Sequence, residues 1–236
     1  MRDKSSHPLR AWVTRKQPLP SRFYSPSDMD NIDASWLCWV VIEEKLLLHE
    51  ARDVNWQSLA ESRAKNNEFL AKASEIITGL EGAWLDSEEA IMVRETLGDP
   101  PEPTLPIYLI GLEKDGVCGD PVYIGITLTS SRFTGGHKAA LCLHHPKYNG
   151  YAKHLYRAAV WFHNGNEYLP LEWLEPEETA NRILESIESQ LIFEFMPAIN
   201  VQKKKNECAT IPLEIHIENF CGDTFIRDHI VFPTHA

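Results

Sequence analysis

The sequence contains no apolar run long enough to cross a membrane. Its longest continuous apolar stretch, Trp36–Ile42, has seven residues, whereas a transmembrane helix needs about 18 or more. The first dozen residues also lack the apolar core of a signal peptide. We therefore expect a chain that is neither inserted in a membrane nor exported.

Cysteine is scarce and follows no recognisable pattern. The 236 residues include five cysteines, irregularly spaced and without a Cys-x-x-Cys pair. An odd number at such spacing indicates neither a disulfide framework nor a standard zinc site. Reduced thiols in the cytoplasm are the expectation.

Positive charge is in deficit as well. The net charge of -11 arises from 23 Lys and Arg against 34 Asp and Glu, and taken alone it disfavours a polyanionic partner. The deficit is uneven, because residues 1–103 carry a net -6 and residues 104–205 only -1. The middle of the chain is therefore close to neutral, and the flanking segments carry the acidity.

The first 103 residues read as an arm followed by helices. Residues 1–27 are basic and rich in Pro and Ser, which predicts a flexible arm that either contacts nucleic acid or is simply disordered. Residues 28–103 are interpreted as an α-helical appendage with a structural or partner-docking role. Its helices are predicted over 35–51, from about 56 to Gly82, and from Ser87 to about 98, before the linker 99–106.

Residues 104–236 change to a mixed pattern. Strands are predicted at Ile107–Leu112, at Val122–Thr127, within 167–174 and at Ile211–Ile217. Helices are predicted from Ser130 or Ser131 to about Leu143, over Tyr151–Phe162 and over 175–195, the last with a strong apolar stripe. This order indicates an α+β fold, with a small antiparallel sheet flanked by helices.

Two similar phrases stand on the first two predicted strands, Ile107-Tyr108 and Tyr123-Ile124-Gly125. Arg132 follows nine residues after Tyr123, and the last helix contains Glu188-Ser-Gln-Leu-Ile before Pro197 and Asn200. This ordered set, over about residues 105–205, resembles the GIY-YIG nuclease superfamily. The position of the family's first glycine is Pro106 here. Some restriction-type members resemble this chain further, with a histidine after the arginine, as His137 is.

The resemblance implies metal-dependent hydrolysis of phosphodiester bonds in DNA. Glu188 would hold one Mg²⁺ or Mn²⁺, whose octahedron water and phosphate oxygens complete. Arg132 would bind the scissile phosphate, since a guanidinium matches phosphate oxygens in a two-pronged geometry. Tyr123 is the general-base candidate of such a site, and its phenol needs nearby positive charge to ionise at neutral pH.

The remaining site candidates have supporting roles in this interpretation. Tyr108 would orient water or phosphate, and Asn200 would orient Glu188 or a phosphate. His137 is either a proton shuttle, or base, that assists a tyrosine, or a polar residue that faces DNA. Gly125 would let the sheet bend or let the backbone approach the phosphate.

Basic and aromatic residues outside this set are candidates for a nucleic-acid groove or else solvated surface residues. They are Lys138, Lys147, Lys153, Arg157 and Lys203–Lys205, with Tyr148, Tyr151 and Tyr156 between them.

Three functions remain open from the sequence. The first is a restriction or phage-defence endonuclease, for which a palindromic site would require a homodimer. The second is the nuclease subunit of a larger defence or repair complex, with a partner protein bound through the acidic N-terminal helices. The third is an inactive nucleic-acid-binding module.

Overall fold

Helices and strands are interspersed along the described chain, which in this computed structural model comprises residues 7–24, 36–77, 83–129, 133, 137–163, 168–204 and 209–232. The α-helices are α1 (Pro8–Val13), α2 (Leu59–Ile76), α3 (Ser87–Leu97), α4 (Lys138–Cys142) and α5 (Glu177–Phe195). The strands are β1 (Phe23–Tyr24), β2 (Trp36–Leu47), β3 (Ile107–Lys114), β4 (Val117–Cys118), β5 (Tyr123–Ile126), β6 (Ala152–His163), β7 (Tyr168–Pro170), β8 (Leu174–Glu175), β9 (Leu213–Asn219) and β10 (His229–Val231). Short 3-10 helices occupy Leu48–Asp53, Pro146–Tyr148 and Leu171–Trp173.

One mostly antiparallel sheet organises the structure. Its eight strands follow the order β10-β9-β2-β6-β3-β4, with β5 beside β3 and β7 beside β6. Within it β2 and β9 run parallel, and β1 and β8 form a separate parallel pair. The predicted mixture of helices with a mostly antiparallel sheet is confirmed, although the sheet is larger than the small one expected.

The last helix packs as its sequence pattern predicts. The apolar stripe of α5 is buried against one face of the sheet, together with alternate residues of β2, β3, β5 and β6. Because side chains alternate along a strand, the other residues of these strands face a second layer on the opposite side. The stripe consists of Ala180, Ile183, Leu184, Ile187, Leu191 and Ile192.

Two predicted helices are strands. The helix expected over 35–51 is the strand β2, and the one expected over Tyr151–Phe162 is β6. These strands pair with each other in the middle of the sheet. Both of their faces are covered, since Val40 of β2 packs on the α5 side and Val41 on the other. A strand buried on both faces shows a continuous apolar run rather than alternation, and periodicity does not separate such a run from a helix.

The N-terminal region is not wholly helical and is not separate from this sheet. Helices α2 and α3 form as predicted, and Asp86 rather than Ser87 caps α3 through the backbone amides of Glu88 and Glu89. The helix α1 packs against them, and its residues Leu9 and Trp12 are buried. The prediction of a flexible arm is therefore wrong for residues 7–24.

The other predicted elements are partly matched. The third strand is shorter than expected and gives way to a 3-10 helix at Leu171. Strand β9 coincides with most of the fourth predicted strand. The predicted caps Ser130 and Ser131 lie outside the described residues, and α4 is the described part of the helix expected there. No helix among the described residues is both long and apolar enough to cross a membrane.

Candidate functional site

Tyr108 and Tyr123 lie side by side because Gly125, which is close to both rings, has no side chain. In the β3–β5 pairing Tyr108 is opposite Gly125, and the rings of Tyr108 and Tyr123 are near-parallel with centroids 6.0 Å apart. A Cβ atom on Gly125 would lie 2.5 Å from Tyr108 Oη and 2.9 Å from Tyr123 Cε1. Gly125 thus makes room for the tyrosine pair, which is a different reason for the glycine from those the sequence suggested.

Tyr108 is held in the interior rather than exposed to a cleft. Its side chain is completely buried, and Tyr108 Oη is hydrogen-bonded to His137 Nε2 at 2.9 Å. The His137 ring is nearly buried and packs edge-on against Tyr123, with centroids 5.2 Å apart. Tyr108 and His137 therefore form a buried pair directly behind Tyr123.

Aromatic stacking fixes this pair from behind. Phe133 stacks on His137 at 4.6 Å and on Trp56 at 4.5 Å, and Trp56 also meets Tyr108 edge-on. Trp56 belongs to the N-terminal region, for which the sequence analysis predicted no site residues. Because stacked and edge-on rings both gain attraction beyond their burial, Trp56 and Phe133 restrict the orientations open to Tyr108 and His137.

Glu188 and Tyr123 line the same cleft, which we call the Glu188 cleft. Its volume is about 390 Å³. Glu188 Oε2 accepts a hydrogen bond from Lys203 Nζ at 2.6 Å, and among the described residues Glu188 is the one carboxylate that lines the cleft. The lining consists of Tyr123, Lys138, Ala139, Cys142, Glu188, Ile192, Ile199, Asn200, Val201, Gln202 and Lys203.

The cleft opens at the outer edge of β5, where the two faces of the sheet meet. Tyr108 and Tyr123 pack with the layer opposite α5, and Ile124 packs with α5. Tyr123 nevertheless shares a cleft with Glu188, because it is the first residue of β5 and reaches around the strand edge. The acid and the phenol thus converge from two different layers.

Asn200 holds the loop after α5 against this edge. Its side-chain amide donates to the carbonyl oxygen of Ile124 and accepts from the Ile124 backbone amide, both at 2.9 Å. Ile199 adds a backbone hydrogen bond to Val122. These hydrogen bonds of the Asn200 amide go to Ile124 rather than to Glu188, so they position the loop and cover the strand edge. The role of Asn200 in orienting Glu188 or a phosphate stays a prediction.

The predicted cations have different outcomes. Lys138 and Lys203 line the Glu188 cleft, whereas Arg132 and Lys205 lie outside the described residues. That these lysines form a nucleic-acid groove stays a prediction. Arg157 is a core residue. It pairs with Glu44 at 2.8 Å and lies over the Trp56 ring, and burial lowers its pKa although Glu44 opposes that change.

Tyr156 and Lys153 also lie away from the cleft. Tyr156 is buried, and its hydroxyl donates to Asp223 at 2.8 Å. Lys153 lines a separate cavity with Leu47, Leu48 and His49. Neither residue lines the Glu188 cleft.

Comparison of the chain with protein-family models, with curated proteins and with solved structures finds no match. The function of the cleft therefore has to be inferred from its residues and their geometry.

The cleft residues fit a cation that is held mainly by water and substrate. Within the described residues no group of three or more His, Cys, Asp or Glu side chains could enclose a metal ion. One carboxylate in an open cleft suits Mg²⁺, which retains several waters and binds proteins through one or two carboxylates plus phosphate oxygens. Lys203 already neutralises one oxygen of Glu188, so any ion there would share or displace that contact.

Sequence reasoning missed three contributions to the site. Trp56 and Phe133 give no local signal, because their effect depends on stacking between distant segments. Lys203 was predicted as a groove residue, but its ion pair with Glu188 was not predicted. The two residues are fifteen positions apart and a loop connects them, so they lack the spacing of three or four residues that indicates a pair on one helix.

Proposed function

We propose that this chain is a metal-dependent endonuclease of the GIY-YIG type, which hydrolyses phosphodiester bonds in DNA and acts in restriction or phage defence. The observation that supports it most is the meeting of Tyr123 and Glu188 in one cleft with Lys138 and Lys203. These residues come from an edge strand, two helices and a loop, and fold maintenance does not require their combination.

The cleft residues divide the chemistry between them. When bound, Mg²⁺ or Mn²⁺ supplies Lewis-acid stabilisation of the charge that develops on the phosphate. Glu188 would hold that ion, and the ammonium groups of Lys138 and Lys203 would add positive charge along the phosphate oxygens. The proposal that Arg132 binds the scissile phosphate rests on its position in the sequence alone.

In this proposal Tyr123 is the general base that accepts the proton of the attacking water. Its ring forms one wall of the cleft and is positioned by the buried pair Tyr108 and His137. A general base works only within hydrogen-bond reach of the proton that it removes, so a fixed ring orientation is essential. In this account Tyr108 and His137 are positioning residues for Tyr123.

Cleavage of mixed DNA tests the proposal. Purified full-length chain incubated with plasmid and phage DNA should cut in the presence of Mg²⁺ or Mn²⁺ and stop cutting when EDTA removes the metal. Mapping the ends defines the sequence cut and the position of the phosphate. A complete lack of cutting of all DNAs with either metal would contradict an autonomous endonuclease.

A nuclease subunit that needs a protein partner is the second candidate. Helix α3 leaves Ile91 and Met92 about half exposed, and Trp84, three residues before the helix, is also exposed. The same short segment is acidic at Asp86, Glu88, Glu89 and Glu95. Exposed apolar side chains bordered by charge are typical of protein-binding surfaces. This candidate predicts an isolated chain that binds metal at Glu188 without cutting DNA.

A further inference from the structure

A second cleft adjoins the Glu188 cleft, and we call it the Lys147 cleft. Its volume is about 500 Å³. The two clefts share Cys142 and Ile199 as wall residues, so they are neighbours, and we call the two together the trough. The lining of the Lys147 cleft consists of Leu141, Cys142, His145, Lys147, Tyr148, Ala198 and Ile199.

The trough is basic in an otherwise acidic protein. Its lining contains three lysines and one histidine against the single carboxylate Glu188, which is itself paired with Lys203. The whole chain has a net charge of -11. A depression lined by one sign of charge concentrates ligands of the opposite sign, so this trough favours an anion that extends beyond the Glu188 cleft.

Lys147 and His145 present hydrogen-bond donors at the far end. Lys147 Nζ lies 4.7 Å from the centre of the Tyr148 ring, and Tyr148 is buried and fixed. His145 Nδ1 accepts from the Lys147 backbone amide at 3.2 Å. Because that nitrogen is an acceptor, the neutral ring carries its proton on Nε2. An ammonium and a ring N–H are both donors to phosphate oxygens.

We propose that the Lys147 cleft binds a second phosphate of the DNA strand whose scissile phosphate lies in the Glu188 cleft. The inference rests on the proposed function and specifies its substrate as a strand of several nucleotides rather than a small phosphodiester. Lys147 and His145 bind the distal phosphate, and the strand passes Cys142 and Ile199 between the two clefts.

Binding measurements in the Glu188→Gln chain test this without requiring cleavage. The probes are fluorescein-labelled DNA oligonucleotides of increasing length, followed by fluorescence anisotropy. Lys147→Gln should weaken binding of the longer oligonucleotides about tenfold, the loss of one charge-assisted hydrogen bond. It should also reduce the slope of log affinity against log salt by about one. The advantage of long over short oligonucleotides should shrink accordingly.

Lys65→Gln is the matched control, since it removes the same charge from an exposed position on α2. Equal affinities and equal salt slopes for the two variants would overturn the inference. If the wild type cuts DNA while Lys147→Gln binds like Lys65→Gln, the distal site alone is wrong. If Lys147→Gln weakens binding but the wild type cuts nothing, the autonomous nuclease activity is wrong and the binding site stands.

Alkylation of Cys142 gives a second readout. Cys142 is exposed at the junction of the two clefts, so a bound long oligonucleotide should slow its reaction with iodoacetamide several-fold, measured by mass spectrometry of its peptide. A dinucleotide at the same occupancy should protect it less. Identical alkylation rates with and without the long oligonucleotide would contradict the proposed path of the strand.

Discussion

Replacing Glu188 by Gln should slow Mg²⁺-dependent DNA cleavage about 10²–10³-fold. Gln has nearly the same shape but no charge, so the change removes the one carboxylate of the cleft lining and leaves its walls in place. Loss of a single electrostatic contact to a developing charge typically lowers the rate by about 10²–10³-fold. The measurement is the single-turnover cleavage rate at saturating Mg²⁺.

Glu185→Gln is the matched control for that change. Glu185 is exposed on the same helix, one turn before Glu188, and its substitution should change the rate by about twofold or less. The free energy of unfolding of both variants should lie within about 1 kcal/mol of the wild-type value. The ion pair between Lys203 and Glu188 is partly exposed, and such pairs contribute little to stability. Equal rates for the Glu188 and Glu185 variants would exclude Glu188 from catalysis.

Gly125→Ala should damage both stability and activity. The new Cβ would lie well inside contact distance of both tyrosine rings, and overpacking of this kind destabilises proteins by about 1–3 kcal/mol. The rings of Tyr108 and Tyr123 have to move apart, and a shift of about 1 Å in a catalytic group lowers rates by about 10²-fold. Urea unfolding and the cleavage rate per folded molecule measure the two effects.

Two other glycines separate steric damage from damage to the site. A Cβ on Gly111 would meet Cys118 Sγ at 2.9 Å and Tyr156 Cε2 at 3.1 Å, on the opposite face of β3 from Tyr108. Gly111→Ala should therefore be destabilised by a similar amount but keep its cleavage rate per folded molecule. No atom lies within 4 Å of a Cβ added to Gly119, so Gly119→Ala should change neither the stability nor the cleavage rate. Full activity in Gly125→Ala would show that the tyrosine pair is not needed.

The sequence predicted elements with one buried face correctly, whereas it predicted two long strands with both faces buried incorrectly, as helices. Helix α5 and strand β9 have one covered face each, and their periodicity located them well. Strands β2 and β6 are covered on both faces, so alternation disappears and local sequence does not distinguish them from helices. The position of β2 inside the sheet also depends on pairing with β9, almost 180 residues later, and no local pattern encodes that contact.

The candidate site shows the same division. Tyr123 and Glu188 were predicted from the resemblance of their motifs to those of GIY-YIG nucleases, and the structure brings them to one cleft. The stacking of Trp56 on Phe133 and the pairing of Lys203 with Glu188 depend on loop paths. Tyr108 is buried because residues 51–56 cover the face of β3 that is opposite α5. No single sequence motif predicts this contact between distant segments.

Locating a bound metal tests the central claim most directly. Crystals of the full chain soaked in Mn²⁺, with the ion found by its anomalous scattering, should show a peak about 2 Å from a carboxylate oxygen of Glu188. The peak should face Tyr123 and should be absent from the Glu188→Gln variant. A Mn²⁺ ion bound elsewhere with nothing at Glu188, or an unchanged peak in the variant, would contradict the assignment of this cleft.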